Sequence, residues 1–116
     1  MSDTSIDPAD VEVRENTAES RYDILVAGEP AGFSMYLPTT TKAGAKQRIL
    51  YHTVVHEHFG GHGLADPLTR EAIRDSIGNG YRVVALCSYV RKWITKHHDF
   101  DEHLDPVTSE HLALVD

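Results

Sequence analysis

Cysteine is nearly absent: Cys87 stands alone among 116 residues. No internal disulfide can form and no CxxC zinc or redox motif exists, which sets a cytoplasmic protein as the expectation. No apolar run approaches the ~18 residues of a membrane-spanning helix. The N-terminus is acidic and lacks the apolar stretch of a signal peptide. The one glycine-rich loop, "HFGGHGLADPL", follows neither spelling of the common phosphate loops, since no GK[ST] ends it and it is not GxGxxG. Basic residues are also scarce, 11 against 18 acidic ones, for a net charge of −7.

That charge is unevenly spread. Residues 1–20 carry six carboxylates against Arg14, and residues 99–116 carry six with no Lys or Arg. The stretch between them is therefore +4, holding Lys42, Lys46, Arg48, Arg70, Arg74, Arg82, Arg91, Lys92 and Lys96. A basic middle inside an acidic protein suits a small anionic ligand. Neither nucleic acid nor a membrane is expected as a partner. The length allows one domain with a real core, and 41% hydrophobic with 25% charged residues is ordinary for a soluble globule.

Residues 1–20 are polar with little apolar periodicity and read as a flexible acidic tail; residues 105–116 read as a second. Between them lies the domain, residues 21–104. "RYDILVA" (21–27) alternates Tyr22, Ile24 and Val26, "GEPAG" supplies turn residues, and "FSMYL" (33–37) alternates again, so a hairpin is expected. "QRILYHTVV" (47–55) is a third strand, rich in branched and aromatic residues. Leu64, Leu68, Ala72, Ile73 and Ile77 recur at helical spacing until "GNG" stops the helix. "YRVVALC" (81–87) is almost continuously apolar, as a strand covered on both faces would be. Ser88 can cap a second helix, "YVRKWITKH", in which Trp93 shares an apolar stripe with Val90 and Ile94 and reads as core. The expected fold is α+β, three layers around a mixed sheet. The order is β-β-β-α-β-α, with three antiparallel strands first and the third and fourth strands parallel across a right-handed crossover.

A strand that enters a glycine loop opening a helix creates an anion site. Glycine lets the backbone approach a ligand, and the first helical amides have no internal partners. Gly60, Gly61, Gly63 and the amides through Ala65 would form such a cradle; an ordinary tight turn is the plainer alternative, and Asp66 adds an unhelpful negative charge. Four histidines, His52, His56, His58 and His62, raise a metal site as another alternative. Only Glu57 is close enough to complete a set, and in a strand it points the other way, so no metal is expected. His97-His98 has no partner pattern.

On "HTVV…HFGGHGLADPL" and "VVALCSYVRKWITKH", the sequence resembles the small single-domain YjdJ-type branch of the GNAT acyl-CoA N-acyltransferases, over about residues 21–104. Gly60 stands where that superfamily usually has Arg or Gln. Cys87-Ser88 replaces a Cys-Pro pair, and His97-His98 a His-Pro pair. The resemblance implies acetyl-CoA as acyl donor and an amine as acceptor, with third and fourth strands splayed to admit the pantetheine arm. It implies a cofactor site of Thr53, Val54 and Val55 on the third strand, Gly60, Gly61, His62, Gly63, Leu64 and Ala65 in the loop, and Cys87. Lys92, Lys96 and His97 would meet the nucleotide end; Arg70 and Arg74 are further candidates there. The catalytic candidates are His52 as base and Cys87 as proton donor or transient acyl carrier. Their plainer readings are a sheet histidine bonded to backbone and a buried structural thiol. Tyr89 is an alternative acid. The function expected is direct N-acetyl transfer in a ternary complex, by a monomer. The alternatives are a non-catalytic acyl-CoA-binding module or a histidine-rich metal-binding protein.

Overall fold

The computed structural model describes residues 6–115. Six strands form one sheet in sequential order: β1 (Val11–Asn16), β2 (Arg21–Val26), β3 (Glu29–Thr40), β4 (Lys46–Val55), β5 (Arg82–Ala85) and β6 (Leu104–Asp105). The pairs from β1 to β4 are antiparallel; β4–β5 and β5–β6 are parallel. The helices are α1 (Ala65–Gly78), α2 (Ser88–Lys96) and α3 (Ser109–Leu114). This is the mixed α+β sheet expected, with one strand added before the predicted set and a short strand and helix after it.

The first difference lies in the segment read as a tail. Val11 and Val13 alternate with Glu12 and Arg14, and β1 pairs along its whole length with β2, from Val11↔Val26 to Asn16↔Arg21. Two half-buried valines gave too weak an alternation to register against so many carboxylates. Residues 1–5 of that predicted tail lie outside the described residues. The hairpin turn also moves. Val26 pairs with Glu29, so the loop is the two residues Ala27 and Gly28, both at positive φ (51° and 83°). Such a turn matches the twist of the flanking strands, which lets "EPAG" (29–32) run on as strand. Gly32 is needed there: a Cβ would come within 2.3 Å of the Val54 carbonyl oxygen across the β3–β4 ladder.

One face of the sheet carries Tyr22, Ile24, Tyr36, Leu50, Val83 and Ala85, all buried against Leu64, Leu68, Ala72 and Ile73 of α1 and Val90 and Trp93 of α2. Leu68, Ala72 and Ile73 recur at helical spacing, which turns one stripe of α1 onto that face. Strand alternation directs Ile49 and Val84 to the opposite face, where both are fully buried.

The second predicted tail is docked on that opposite face as far as residue 115; Asp116 lies outside the described residues. Asp105 accepts hydrogen bonds from Gln47 Nε2 (2.7 Å) and Arg82 Nε (2.8 Å). His111 of α3 is buried, and its Nδ1 accepts from the Thr108 amide (3.0 Å), so Nε2 bears the proton and donates to Gln47 Oε1 (2.9 Å). These polar partners are far apart in sequence, and no local pattern announces them. Burial alone would raise the Asp105 pKa, but the bonds from Gln47 and Arg82 outweigh it and hold the carboxyl below its usual range. A depressed folded pKa contributes stability above the unfolded value of ~4, lost as pH falls through the folded value. The melting temperature of the wild type should therefore fall more steeply below about pH 4 than that of Asp105→Asn. Scanning calorimetry across acid pH reads the two slopes, and parallel slopes would remove Asp105 from the acid response.

Candidate active site

The site begins with an extra residue in β4. Tyr36 pairs with Leu50, but Met35 pairs with His52, leaving Tyr51 unmatched. A bulge of this kind bends its strand and raises the local twist. The β4–β5 ladder runs only from Gln47↔Arg82 to Leu50↔Ala85. Beyond it the Leu50 carbonyl accepts both the Leu86 and Cys87 amides (3.0 and 2.9 Å), and the chain turns into α2. β4 continues to Val55 with no described strand on its β5 side. The result is a wedge-shaped opening between two parallel strands, bordered by backbone of residues 51–55 that can still accept and donate hydrogen bonds.

Thr53 and Cys87 face each other across this opening, with Cys87 Sγ 3.5 Å from Thr53 Oγ1. Thr53 Oγ1 also lies 3.2 Å from the hydroxyl of Ser34 on β3, which is fully buried. Val55 and Cys87 pack against the core cluster from the same side. His52 and Val54, one residue out of phase, point to the other face. There His52 and His56 flank Phe33, at ring distances of 6.1 and 6.3 Å. The two catalytic candidates thus sit on opposite faces of the sheet, Cys87 on the side of Thr53 and His52 on the other.

At the top of β4 the loop is held by a single turn of 3-10 helix, Glu57–Phe59, and by the buried side chain of Leu64. Gly61 and Gly63 take φ of +83° and +69°, and a Cβ on either would meet nothing within 4 Å. Glycine is demanded there by backbone conformation, not by space. The amides of Gly61, His62, Gly63 and Leu64 donate to no described acceptor. Leu64, at the N-cap, offers no side-chain acceptor to α1. Orphan amides at a helix N-terminus, approached by glycine backbone, fit a diphosphate.

Asp66 is less of an obstacle than its position in the sequence suggests, because its carboxylate turns toward α2 and accepts the Trp93 indole N–H at 2.6 Å. Asp66 also comes within 3.7 Å of His97 Nε2, and His97 stacks on Trp93 at 4.2 Å. Asp66, Tyr89, Lys92, Trp93, Lys96 and His97 line a cleft of about 280 Å³ between α1 and α2. The structure thus gathers Lys92, Lys96 and His97 beside the glycine loop, and neither lysine has a carboxylate within ion-pair distance among the described residues. Arg70 and Arg74 are already engaged, with Asp99 (3.3 Å) and Glu71 (2.6 Å). Burial, and then the charge of Asp66, raises the Tyr89 pKa, and its phenol lines this same cleft. A larger cleft of about 650 Å³ shares His62, Gly63 and Leu64 but is walled by Ile6, Val11 and Val13, on the far flank of α1 from Cys87.

Among the described residues no three His, Cys, Asp or Glu side chains converge as metal ligands, and no helix is long and apolar enough to cross a membrane. His58 packs on Phe59, and His62 faces the cleft beyond α1, so both part from the pair His52 and His56 around Phe33. Sequence reasoning missed Ser34, whose only signal was a hydroxyl in an apolar strand, and the Trp93–Asp66 bond, which nothing local announces. Residues 21–104 match the family model of the GCN5-related N-acetyl-transferases. No curated protein matches the chain.

Proposed function

The chain belongs to the GCN5-related N-acetyltransferase family, and on that premise we propose that it transfers an acetyl group from acetyl-CoA to an amine by direct attack in a ternary complex. The observation that carries this reading is the parting of β4 and β5 after Leu50 and Ala85, directly beneath a loop with four orphan amides. The pantetheine arm lies in the opening and pairs with the free edge of residues 51–55, Thr53, Val54 and Val55 among them. The diphosphate rests on the amides of Gly61 through Ala65, and Lys92, Lys96 and His97 meet the phosphates of the nucleotide end. Gly60 offers no side chain to this cradle, so backbone and the α2 lysines carry the anion. We take the chain for a member of the small single-domain YjdJ-type branch, a reading that His52-Thr53 and the cysteine ending the β5 segment support, and for a monomer of the cytoplasm.

The thioester then sits between Cys87 and the β4 backbone. The amine nitrogen attacks the carbonyl carbon from the face bearing His52. The C–N bond forms, His52 takes the proton the nitrogen sheds, and the C–S bond breaks. The departing CoA thiolate takes the Cys87 proton, which solvent restores. Strand amides pointing at the carbonyl oxygen stabilise the charge it gains.

Calorimetric titration with CoA, followed by thiol-release assays over polyamines, amino acids and peptides, tests both halves of the reading. Binding without release on any amine would leave a non-catalytic acyl-CoA module; no heat with millimolar CoA would end both. Gly63→Val should fold, because its side chain enters open space, yet the left-handed backbone costs a branched residue ~1–2 kcal/mol. The expected result is a CoA Kd raised roughly tenfold, with the melting temperature lowered by only about 3–10 °C, the equivalent of that strain. An unchanged Kd would remove the loop from the binding site.

A further inference from the structure

We propose that Ser34 is a positioning residue for Cys87, acting through Thr53; the inference rests on the acetyl-transfer reading above. Three side chains from three strand segments form one line: Ser34 on β3, Thr53 on β4 and Cys87 past β5. The spacings are 3.2 Å from Ser34 Oγ to Thr53 Oγ1 and 3.5 Å from Thr53 Oγ1 to Cys87 Sγ. Ser34 has no exposed surface, and its one described side-chain partner is Thr53. A hydroxyl shut away from water without a partner is a direct cost to the fold. That cost selects the orientation of Thr53. A threonine has an oxygen and a methyl on Cβ, stiff about χ1. Turning the methyl toward Ser34 would strand a buried hydroxyl, so Ser34 keeps Oγ1 in line with the cysteine.

The line has a chemical use. A hydroxyl has one hydrogen and two lone pairs. While Cys87 is a thiol, Thr53 Oγ1 accepts its S–H. Once that proton has gone to the departing CoA thiolate, the Thr53 hydrogen rotates to the Cys87 sulfur, and Ser34 donates to the vacated lone pair. No heavy atom moves and no bond other than S–H is broken. The thiolate gains a donor it would otherwise lack inside a partly apolar opening.

Cys87 is the one cysteine of the chain, so its reactivity can be read directly. The rate of iodoacetamide alkylation, followed by mass spectrometry on the full-length protein from pH 6 to 10, gives the midpoint of thiolate formation without any acetyl-CoA. Ser34→Ala and Thr53→Val are expected to move that midpoint upward by half a pH unit or more. Thr53→Ser, which keeps the hydroxyl, should stay close to wild type. A Ser34→Ala profile that superposes on wild type overturns the role of Ser34. If Ser34→Ala does not fold, the near-isosteric Thr53→Val decides, and a wild-type midpoint there overturns the proposal. Because the readout needs neither CoA nor turnover, its failure is distinct from a failure of the transferase reading, which CoA calorimetry reports.

Discussion

His52→Ala is expected to lower kcat/KM for the acceptor amine by two to four orders of magnitude while leaving CoA affinity within about twofold, the range general-base loss gives when binding is untouched. The expectation rests on what His52 does not do. A histidine that served the sheet would be buried, with ring nitrogens bonded to backbone or side chains. His52 is exposed, and neither ring nitrogen meets a hydrogen-bond partner among the described residues. Its aromatic neighbour is Phe33, at 6.1 Å. An imidazole left unengaged beside the bulged, half-unpaired part of a strand is available to an incoming proton.

Placement explains why binding should survive the substitution. Alternation along β4 turns Thr53 toward Cys87 and His52 to the other face, so the side chain leaves the pantetheine edge untouched. In the proposed ternary complex the donor lies along the backbone of residues 51–55, from which His52 and Thr53 project to opposite faces, so donor and acceptor would approach the same carbonyl from different sides. Steady-state kinetics with saturating acetyl-CoA measure the loss. His52→Gln, which keeps a polar group of similar size but no base, should be as slow as alanine. Retention of more than a tenth of wild-type activity would assign the proton to another group or to water.

The parts of the fold that could be read early are those with a strong local period. β4 and β5 were legible from "QRILYHTVV" and "YRVVALC", and α1 from leucine and isoleucine spacing ended by glycine; each matched within a residue or three. The glycine loop was legible because positive φ leaves its mark on residue choice at Gly61 and Gly63. The misses are long-range. β1 is held by pairing and by Glu15 reaching Arg48, 33 residues away, and the last helix by His111 reaching Gln47, 64 residues away. Charge counting misread both as solvated acid tails, because it treats a carboxylate as exposed until a partner is known. The same limit governs the site: the adjacency of the strand bearing His52 and Thr53 to the segment ending in Cys87 followed from the parallel crossover, whereas Thr53 rather than His52 facing Cys87 required the bulge at Tyr51, a register shift that no residue type spells out.

Arg48→Met should cost about 3–5 kcal/mol, the usual effect of removing one partner from a buried ion pair, and lower the melting temperature by roughly 10–20 °C in a domain of this size. Composition placed Arg48 among the cations available to a ligand. The structure spends its charge internally. Its guanidinium is held between the rings of Tyr36 and Tyr81, 4.2 and 4.3 Å from their centres. It donates to Glu15 (3.1 Å), to the Tyr22 hydroxyl (2.7 Å) and to Ser76 Oγ (3.3 Å). Tyr22 in turn donates to Asp75 of α1 at 2.6 Å, and Tyr36 donates to Glu15. Burial, and then the bond to Glu15, pushes the Tyr36 pKa up to about 12; burial and Asp75 raise Tyr22 as well, so both phenols remain donors across the useful pH range. One cation therefore joins β1, β2, β4 and the end of α1. Methionine fills the volume but leaves the Glu15 carboxylate with no countercharge beside two aromatic rings. Lysine should recover little, since it cannot lie flat between two rings while bonding three oxygens. The double variant Glu15→Gln/Arg48→Met should regain much of the loss, because the stranded charge goes with its partner. Thermal melts of the wild type, Glu15→Gln, Arg48→Met and the double variant give the cycle. Amide exchange at Val11–Asn16 should quicken in Arg48→Met before it does in β3 or β4, because β1 is an edge strand whose one ladder is to β2. A melting temperature within about 3 °C of wild type, less than 1 kcal/mol, would mean that the core holds the first strand without this arginine.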